Sequence, residues 1–437
     1  MTEALPTVHA LLAAHPTVGH TSALRAIGAE LRARGHGTSF ALVHARVPLP
    51  ALWPEPVRAA AGLPAAIAAE GAQVLPLRPS PAALWHAALL PRATGQEELE
   101  RALALFTSGL ESQARELAGY ARRVGAQVIV GDYLMPAALL AARLVSRPFV
   151  AVYHSALPFP AEGAPPFGTV LPDSARGSDA WRAAEARLER MGAAFDARLA
   201  KAAARLSLPS PGGRLLLRPI SPELNLLATA PSLEPGLLPL DGPVVMTGPC
   251  LPRAAALDEA GRAVLAALPS GARSVYVSLG TVFNEQPAVF RTLIDGAAAT
   301  GAHVIVSAGA SLEALGDLRA PRVQLFRRVP QVPVLARVDV VITHGGNNTV
   351  QECLAAGRPM VVIPFGGDQL ANARRVERLG VGVRLDARSL SSAAVHDALA
   401  SVSTPSVVER ARAVAASLSE MRGAAAAADA VLELALR

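Results

Sequence analysis

The chain has 437 residues, enough for two or three domains at about 150 residues each. Charged residues make up 17% and AVILMFWYC residues 51%, with a mean hydropathy of +0.33, which excludes a disordered chain; every apolar run stops short of the about 18 residues that a membrane span requires. Net charge is +6, aromatics are 4% and basic residues form no run, so nucleic acid is not an expected partner.

In chain order, residues 7–14 read as a strand, 21–34 as a helix with Leu24, Ile27 and Leu31 on one face, and 38–43 as a second strand. Residues 127–130, a helix near 137–145 and a strand at 148–153 continue the alternation. It restarts with compact strands at 274–278, 303–307, 338–343 and 359–364. This βαβ rhythm implies parallel sheets covered by helices. The Pro- and Gly-rich stretch 228–247 reads as a linker. It divides an N-terminal domain, residues 1–227, from a C-terminal domain, 248–420, followed by a helix at 421–437. Residues 46–100, with Trp53 and Trp85, are either an acceptor-binding lobe or helices packed on the sheet.

Several chemistries are missing. Lys201 is the only lysine, within an Ala/Arg-rich helical run, and there is no GxxxxGK[ST] loop. GxGxxG, GxSxG and D-x-D are absent as well, which argues against a dinucleotide fold, a hydrolase elbow and a metal–diphosphate site built on an acidic pair. Cys250 and Cys353 form no CxxC, as suits a reducing compartment. The N-terminus lacks a basic segment, so the expected location is cytoplasmic.

In doubly wound sheets ligands bind beyond the carboxyl ends of the strands. After the first strand comes His15-Pro16-Thr17-Val18-Gly19-His20. Gly19 would let the loop turn, and a neutral His20 at the corner can accept a proton near pH 7; equally, Thr21 and Ser22 would cap a helix beside an incidental histidine. After 127–130 comes Asp132, able to hold a histidine's other N–H or to cap the next helix. The run VITHGGNNTVQECLAAGRPMVVIPFGGDQ, residues 341–369, is the most informative. Glycines there admit a close backbone approach, and a helix starting near Asn347 offers N–H groups and a dipole to an anion. His344, Asn348 and Thr349 add donors. Glu352, one turn on, suits a ribose diol, and Asp368 with Gln369 suits adjacent sugar hydroxyls. Ordinary strand–loop–helix joints explain each piece separately but not the set.

These residues resemble the nucleotide-sugar glycosyltransferases of the plant secondary-product and bacterial macrolide type. The likeness covers nearly the whole chain and is most specific over residues 328–369. The family pattern runs here from Arg328-Val329-Pro330-Gln331 through His344, Gly346, Asn348, Thr349 and Glu352 to Asp368-Gln369. Arg328 replaces an aromatic that stacks on the base, which a guanidinium can also do. Asn347 replaces a plant tryptophan, and the segment from Gln331 to His344 is two residues shorter than the plant form, so the pattern is bacterial-like. The resemblance implies an α/β, GT-B architecture of two Rossmann-like parallel-sheet domains facing a central cleft; whether the C-terminal helix crosses back to the N-terminal domain is left open.

The resemblance also implies roles. His344, Thr349 and the backbone of Asn347 and Asn348 would hold the diphosphate, Glu352 the ribose, and Asp368 and Gln369 the sugar. Ser278 and Thr281, in SVYVSLGT, would lie at the phosphate or sugar. His20 would be the catalytic base and Asp132 its support. The implied reaction is inverting, metal-independent transfer of a hexose from a UDP- or dTDP-sugar, a co-substrate rather than a resident cofactor, to a hydroxyl of a hydrophobic small molecule such as a polyketide, macrolide or phenol. Alternatives are a nucleotide-sugar 2-epimerase on the same fold and a catalytically silent nucleotide-binding activator. The acceptor, sugar, base and oligomeric state are open at this point.

Overall fold

The computed structural model describes residues 6–43, 60–83, 95–169, 171–234, 236–252, 257–268, 271–280, 285–318 and 320–437. Two compact units divide the chain: Met1–Pro252 with Met421–Arg437, and Arg253–Glu420.

The first unit is built on seven parallel strands: β1 (His9–Ala14), β2 (Gly37–Val43), β3 (Gln73–Leu77), β4 (Val128–Asp132), β5 (Phe149–Tyr153), β6 (Leu224–Leu227) and β7 (Val244–Met246). Their order is β3-β2-β1-β4-β5-β6-β7. Every residue of β4 and β5 is buried, as expected of central strands covered on both faces. The two-residue period sends Leu11 and Ala13 into one core layer and Ala10, Leu12 and Ala14 into the other.

The helix Val18–Ala33 buries Leu24, Ile27 and Leu31, and Gly35 follows its end at φ +83°. Its cap corrects the sequence expectation. Thr17 is the N-cap, its Oγ1 accepting the His20 N–H at 3.3 Å. Thr21 and Ser22 lie inside the helix and donate back to the carbonyls of Thr17 (2.9 Å) and Val18 (2.7 Å). Gly19 does not make the turn either. It lies within the first helical turn and has no positive φ.

The stretch 228–247 is not a free linker: it contains β7, which pairs in parallel with β6 and completes this unit's sheet. The C-terminal helix Ala424–Leu436 belongs to the same unit. It buries Ala427, Ala428 and Val431 against the layer containing Leu24 and Ile27. A fully buried valine of this kind contributes roughly 1.5–3 kcal/mol. Arg34 adds a hydrogen bond to the Ala425 carbonyl (3.0 Å) and an ion pair with Asp429. Within residues 46–100 the described part comprises a helix, Leu63–Ala69, the strand β3 and the start of the helix Gly95–Phe106. Trp53 and Trp85 lie outside the described residues.

The second unit has six parallel strands: β8 (Ser274–Ser278), β9 (His303–Ser307), β10 (Val323–Phe326), β11 (Val340–Thr343), β12 (Met360–Val362) and β13 (Gly382–Arg384). The order is β10-β9-β8-β11-β12-β13. The strands expected at 274–278 and 303–307 have those bounds, while those expected at 338–343 and 359–364 are shorter. Strand order reverses at β1/β4 in the first unit and at β8/β11 in the second, the topological position that favours a ligand site. Among the described residues no helix is long and apolar enough to cross a membrane.

Candidate active site

In the first unit, three strand ends converge. His15 follows β1, Asp132 ends β4 and His154 follows β5. His20 reaches them from the first turn of the helix Val18–Ala33. Asp132 is fully buried. Its Oδ2 faces His20 Nδ1; its Oδ1 accepts the Leu134 N–H (2.9 Å) and faces His154 Nε2 at 3.1 Å. Burial opposes ionisation of this carboxyl, but the two imidazoles, by the charge each carries when protonated and by their hydrogen bonds, outweigh it and hold it far below the usual carboxylate range. An ionised carboxylate only accepts hydrogen bonds. Both imidazoles therefore present N–H to Asp132, and His20 keeps Nε2 as its acceptor. The His20 side chain is 16% exposed, so a substrate hydroxyl can reach it.

The walls are aromatic. Phe106 lies 5.0 Å from the His20 ring centroid and 4.5 Å from that of His15. His15 donates Nε2–H to the Leu134 carbonyl at 3.1 Å. Burial, and after it the neighbouring His20, push the His15 imidazole down to about 4, so it serves as a neutral brace at pH 7. Asp132 does not cap the following helix. That helix, Ala137–Leu144, begins after Pro136, and the Asp132 contact with Leu134 N–H is a local turn.

In the second unit, parallel pairing sets Thr343 of β11 beside Ser278 of β8. His344 follows, half-buried, its imidazole pushed down to about 4 by burial. It is walled by glycines for a steric reason: a Cβ on Gly280 or Gly346 would lie 2.5 Å from its ring. Gly345 turns the chain at φ +85°. The helix Asn347–Ala355 then begins at Gly346, which offers no capping side chain. A helix N-terminus built this way favours an anion.

Buried polar side chains hold that loop. Asn372 donates to the Gly345 carbonyl (2.9 Å) and to Asp368 Oδ2 (3.3 Å). Arg375 donates to Asn347 Oδ1 and Asn372 Oδ1, both at 3.2 Å. Gln331 is a hub. Its Oε1 accepts from Tyr276 Oη (3.2 Å), and its Nε2 donates to Thr349 Oγ1 (3.1 Å) and Glu352 Oε2 (2.6 Å). Burial raises the Glu352 carboxyl, and the Gln331 hydrogen bond opposes that rise. Gln369 turns its amide oxygen to the Phe365 N–H at 2.8 Å.

The sequence-derived residues thus fall into two groups. His20 and Asp132 meet in the first unit. In the second, the network just described joins Gln331, Thr349 and Glu352, and a second one joins Asn347 and Asp368 through Arg375 and Asn372. Ser278 ends β8, and His344 directly follows the adjacent strand β11. Arg328 is exposed and Val329 half-buried in the loop after β10. Thr281 lies outside the described residues. Sequence reasoning missed His154, Asn372 and Arg375. His154 had a usable signal, because it directly follows a legible strand. Asn372 and Arg375 sit three apart on the helix Asp368–Arg378, a spacing that puts both on one face.

Comparison with known proteins accords with this geometry. Residues 255–413 match the family model for UDP-glucoronosyl and UDP-glucosyl transferases. The NDP-glycosyltransferase YjiC of Bacillus licheniformis is 33% identical over 163 residues, 37% of this chain and 41% of that protein. The oleandomycin glycosyltransferase of Streptomyces antibioticus is 34% identical over 166 residues, 37% and 38% of the two chains. The chain thus spans about two fifths of the length of these curated relatives. The solved glycotransferase of kitacinnamycin matches the fold at a TM-score of 0.74 and 24% identity, covering 98% of this chain and 99% of that one. The architecture, two parallel sheets with these strand orders, is the GT-B fold of that solved structure. The family match falls within the second unit, residues 253–420.

Proposed function

We propose that the protein is an inverting, metal-independent O-glycosyltransferase that moves a hexose from a UDP- or dTDP-sugar to a hydroxyl of a hydrophobic small molecule, of polyketide, macrolide or phenolic type. The observation that carries this reading is the buried Asp132 carboxylate directed at the Nδ1 of an accessible His20. Nε2 of His20 removes the acceptor's hydroxyl proton as the oxygen attacks the anomeric carbon. Asp132 fixes the tautomer and stabilises the imidazolium that forms. Base catalysis of this kind is typically worth 10²–10⁴-fold.

The second unit would hold the leaving diphosphate with His344, Ser278, Thr281, Thr349 and the backbone of Asn347 and Asn348. Glu352, held by Gln331, would take the ribose. Asp368 and Gln369 would take the sugar, and Arg328 and Val329 would lie toward the base. A helix N-terminus alone supplies about 0.3–1 kcal/mol, up to ~2 when partly buried; the directed donors supply the rest. A 2-epimerase would not require the His20–Asp132 pair, and a silent activator would be free to lose it. Two buried, unpaired cysteines, Cys250 and Cys353, accord with the cytoplasm as the site of action.

The test is a thermal-shift panel with UDP, dTDP, GDP, UDP-glucose and dTDP-glucose in the presence of EDTA, followed by mass spectrometry of products from phenolic and macrolide acceptors. A ligand at 100 times its dissociation constant stabilises by about 2.7 kcal/mol. Stabilisation by a UDP or dTDP species, and a product heavier by one hexose, are expected. If no nucleotide stabilises the protein with or without acceptor, the donor reading is wrong.

A further inference from the structure

His154 is a buried, titratable side chain that the reaction as written does not use. It is 6% exposed and follows β5. Its Nε2 lies 3.1 Å from Asp132 Oδ1, and its ring centroid is 4.8 Å from that of His20. Among the described residues, groups facing it include Asp132 and Tyr133 from the end of β4, His20 from the helix Val18–Ala33 and His15 from the loop after β1. Of these, Asp132 alone is anionic at neutral pH. One carboxylate is therefore shared by two imidazoles, one on each oxygen.

That sharing has a direct chemical consequence. A hydrogen-bond donor on a carboxylate draws off part of its negative charge, so less remains to stabilise a cation on the other oxygen. One buried carboxylate can also neutralise only one imidazolium. When His20 takes the acceptor's proton, His154 must stay neutral, with its proton on Nε2, for the cluster to carry no excess charge. The Leu134 N–H on the same oxygen as His154 keeps the carboxylate from rotating, so the two histidines cannot exchange places.

We propose that His154 is a positioning residue: by donating Nε2–H to Asp132 it locks the carboxylate toward His20 and limits how strongly His20 holds the proton it removes. The inference rests on the reading of His20 as the base. A base that releases its proton after each turnover needs this limit, since an imidazole held too tightly by an undivided carboxylate stays charged and cannot accept the next proton.

The test uses the full chain with ¹³C-labelled histidine and follows each ring by NMR across pH. Three variants separate the roles. His154→Gln keeps an N–H within reach of Asp132 without a titrating ring. His154→Asn is too short to reach it, and His154→Phe keeps ring volume without a donor. The expected result is that His20 titrates about half a unit or more higher in His154→Asn and His154→Phe, with His154→Gln much closer to wild type. His154→Asn serves alone where the Phe variant does not fold. If both donor-less variants leave His20 within about 0.2 unit of wild type, His154 only fills space and the proposal is overturned. The second readout is glycosyl transfer. The acid limb of kcat/KM should move to higher pH in the same two variants, with the donor KM unchanged and Gln restoring the profile. If His20's titration moves while wild-type protein transfers no sugar, the catalytic reading fails and the coupling stands. If transfer is normal and the titration does not move, only the coupling fails.

Discussion

Both sheets reverse strand order at one point and collect their polar side chains there, but they do so with opposite materials. The first unit concentrates charge: a fully buried carboxylate between two imidazoles. The second concentrates space and backbone: glycines around His344 and a helix start with no capping side chain. The first arrangement suits moving a proton, which needs one acidic and one basic atom in fixed register. The second suits holding an anion, which needs many weak donors and room. The contrast fits the proposed division of labour, proton transfer in the first unit and donor binding in the second, and mutations in the two units should separate along that line.

The sharpest separation is expected from His20→Ala. It should lower kcat by 10²–10⁴-fold while nucleotide affinity, which the proposed function assigns to the second unit, stays within a few-fold. Turnover close to wild type would remove His20 as the base and collapse the contrast.

The two units also differ in how legibly the sequence wrote them. The second unit's candidate site is legible because it is local: His344, Thr349, Glu352, Asp368 and Gln369 lie within one strand–helix–strand–helix stretch, and glycines mark its turns. The first unit's pair was harder, since His20 and Asp132 are 112 residues apart and each has an ordinary structural use alone. His154 escaped although the rule of looking past each strand end applied to it as well. The missed strands β3, β6, β7, β10 and β13 are three to five residues long. β7, β10 and β13 have no buried residue, and at three or four residues each is too short to show a strand period. Proline and glycine density around β7 made a sheet strand look like a linker, because composition records turns on either side and not the ladder between them.

Acid should affect the two units differently. His15 and His344 are each pushed down to about 4 in the folded chain, against about 6.5 unfolded. Their contribution to stability is complete above about pH 6.5 and is lost as pH falls to about 4, on the order of a few kcal/mol per histidine at most. Asp132 has a depressed folded value, so its contribution is present above about 3.9 and is lost only below that. Peptide-resolved hydrogen exchange should show protection falling in both units between pH 6.5 and 4, and a further fall below 4 around Asp132 in the first. His15→Asn and His344→Asn should each flatten the upper decline in their own unit. An unchanged slope would mean that the imidazole is not the group responsible.

Donor affinity is the next smaller effect. Glu352→Ala should weaken UDP- or dTDP-sugar binding by about 1–3 kcal/mol, the range for a hydrogen bond to a charged group, and leave kcat at saturating donor near wild type. Unchanged affinity by calorimetry would place the ribose elsewhere.

The smallest expected effect tests how the second unit is held together. Gln331 touches Tyr276, Thr349 and Glu352 at once, and it sits at the start of the short helix Gln331–Leu335, on a different element from all three. If it acts by aiming Glu352, Gln331→Ala should cost about 0.5–1.5 kcal/mol of donor affinity, and that loss should vanish when Glu352 is already alanine. Residues in one hydrogen-bond network show such coupling, whereas independent contacts add. Full additivity in the double mutant would mean that Gln331 touches the donor itself. The second unit would then bind through the hub and not only through the groups the hub positions.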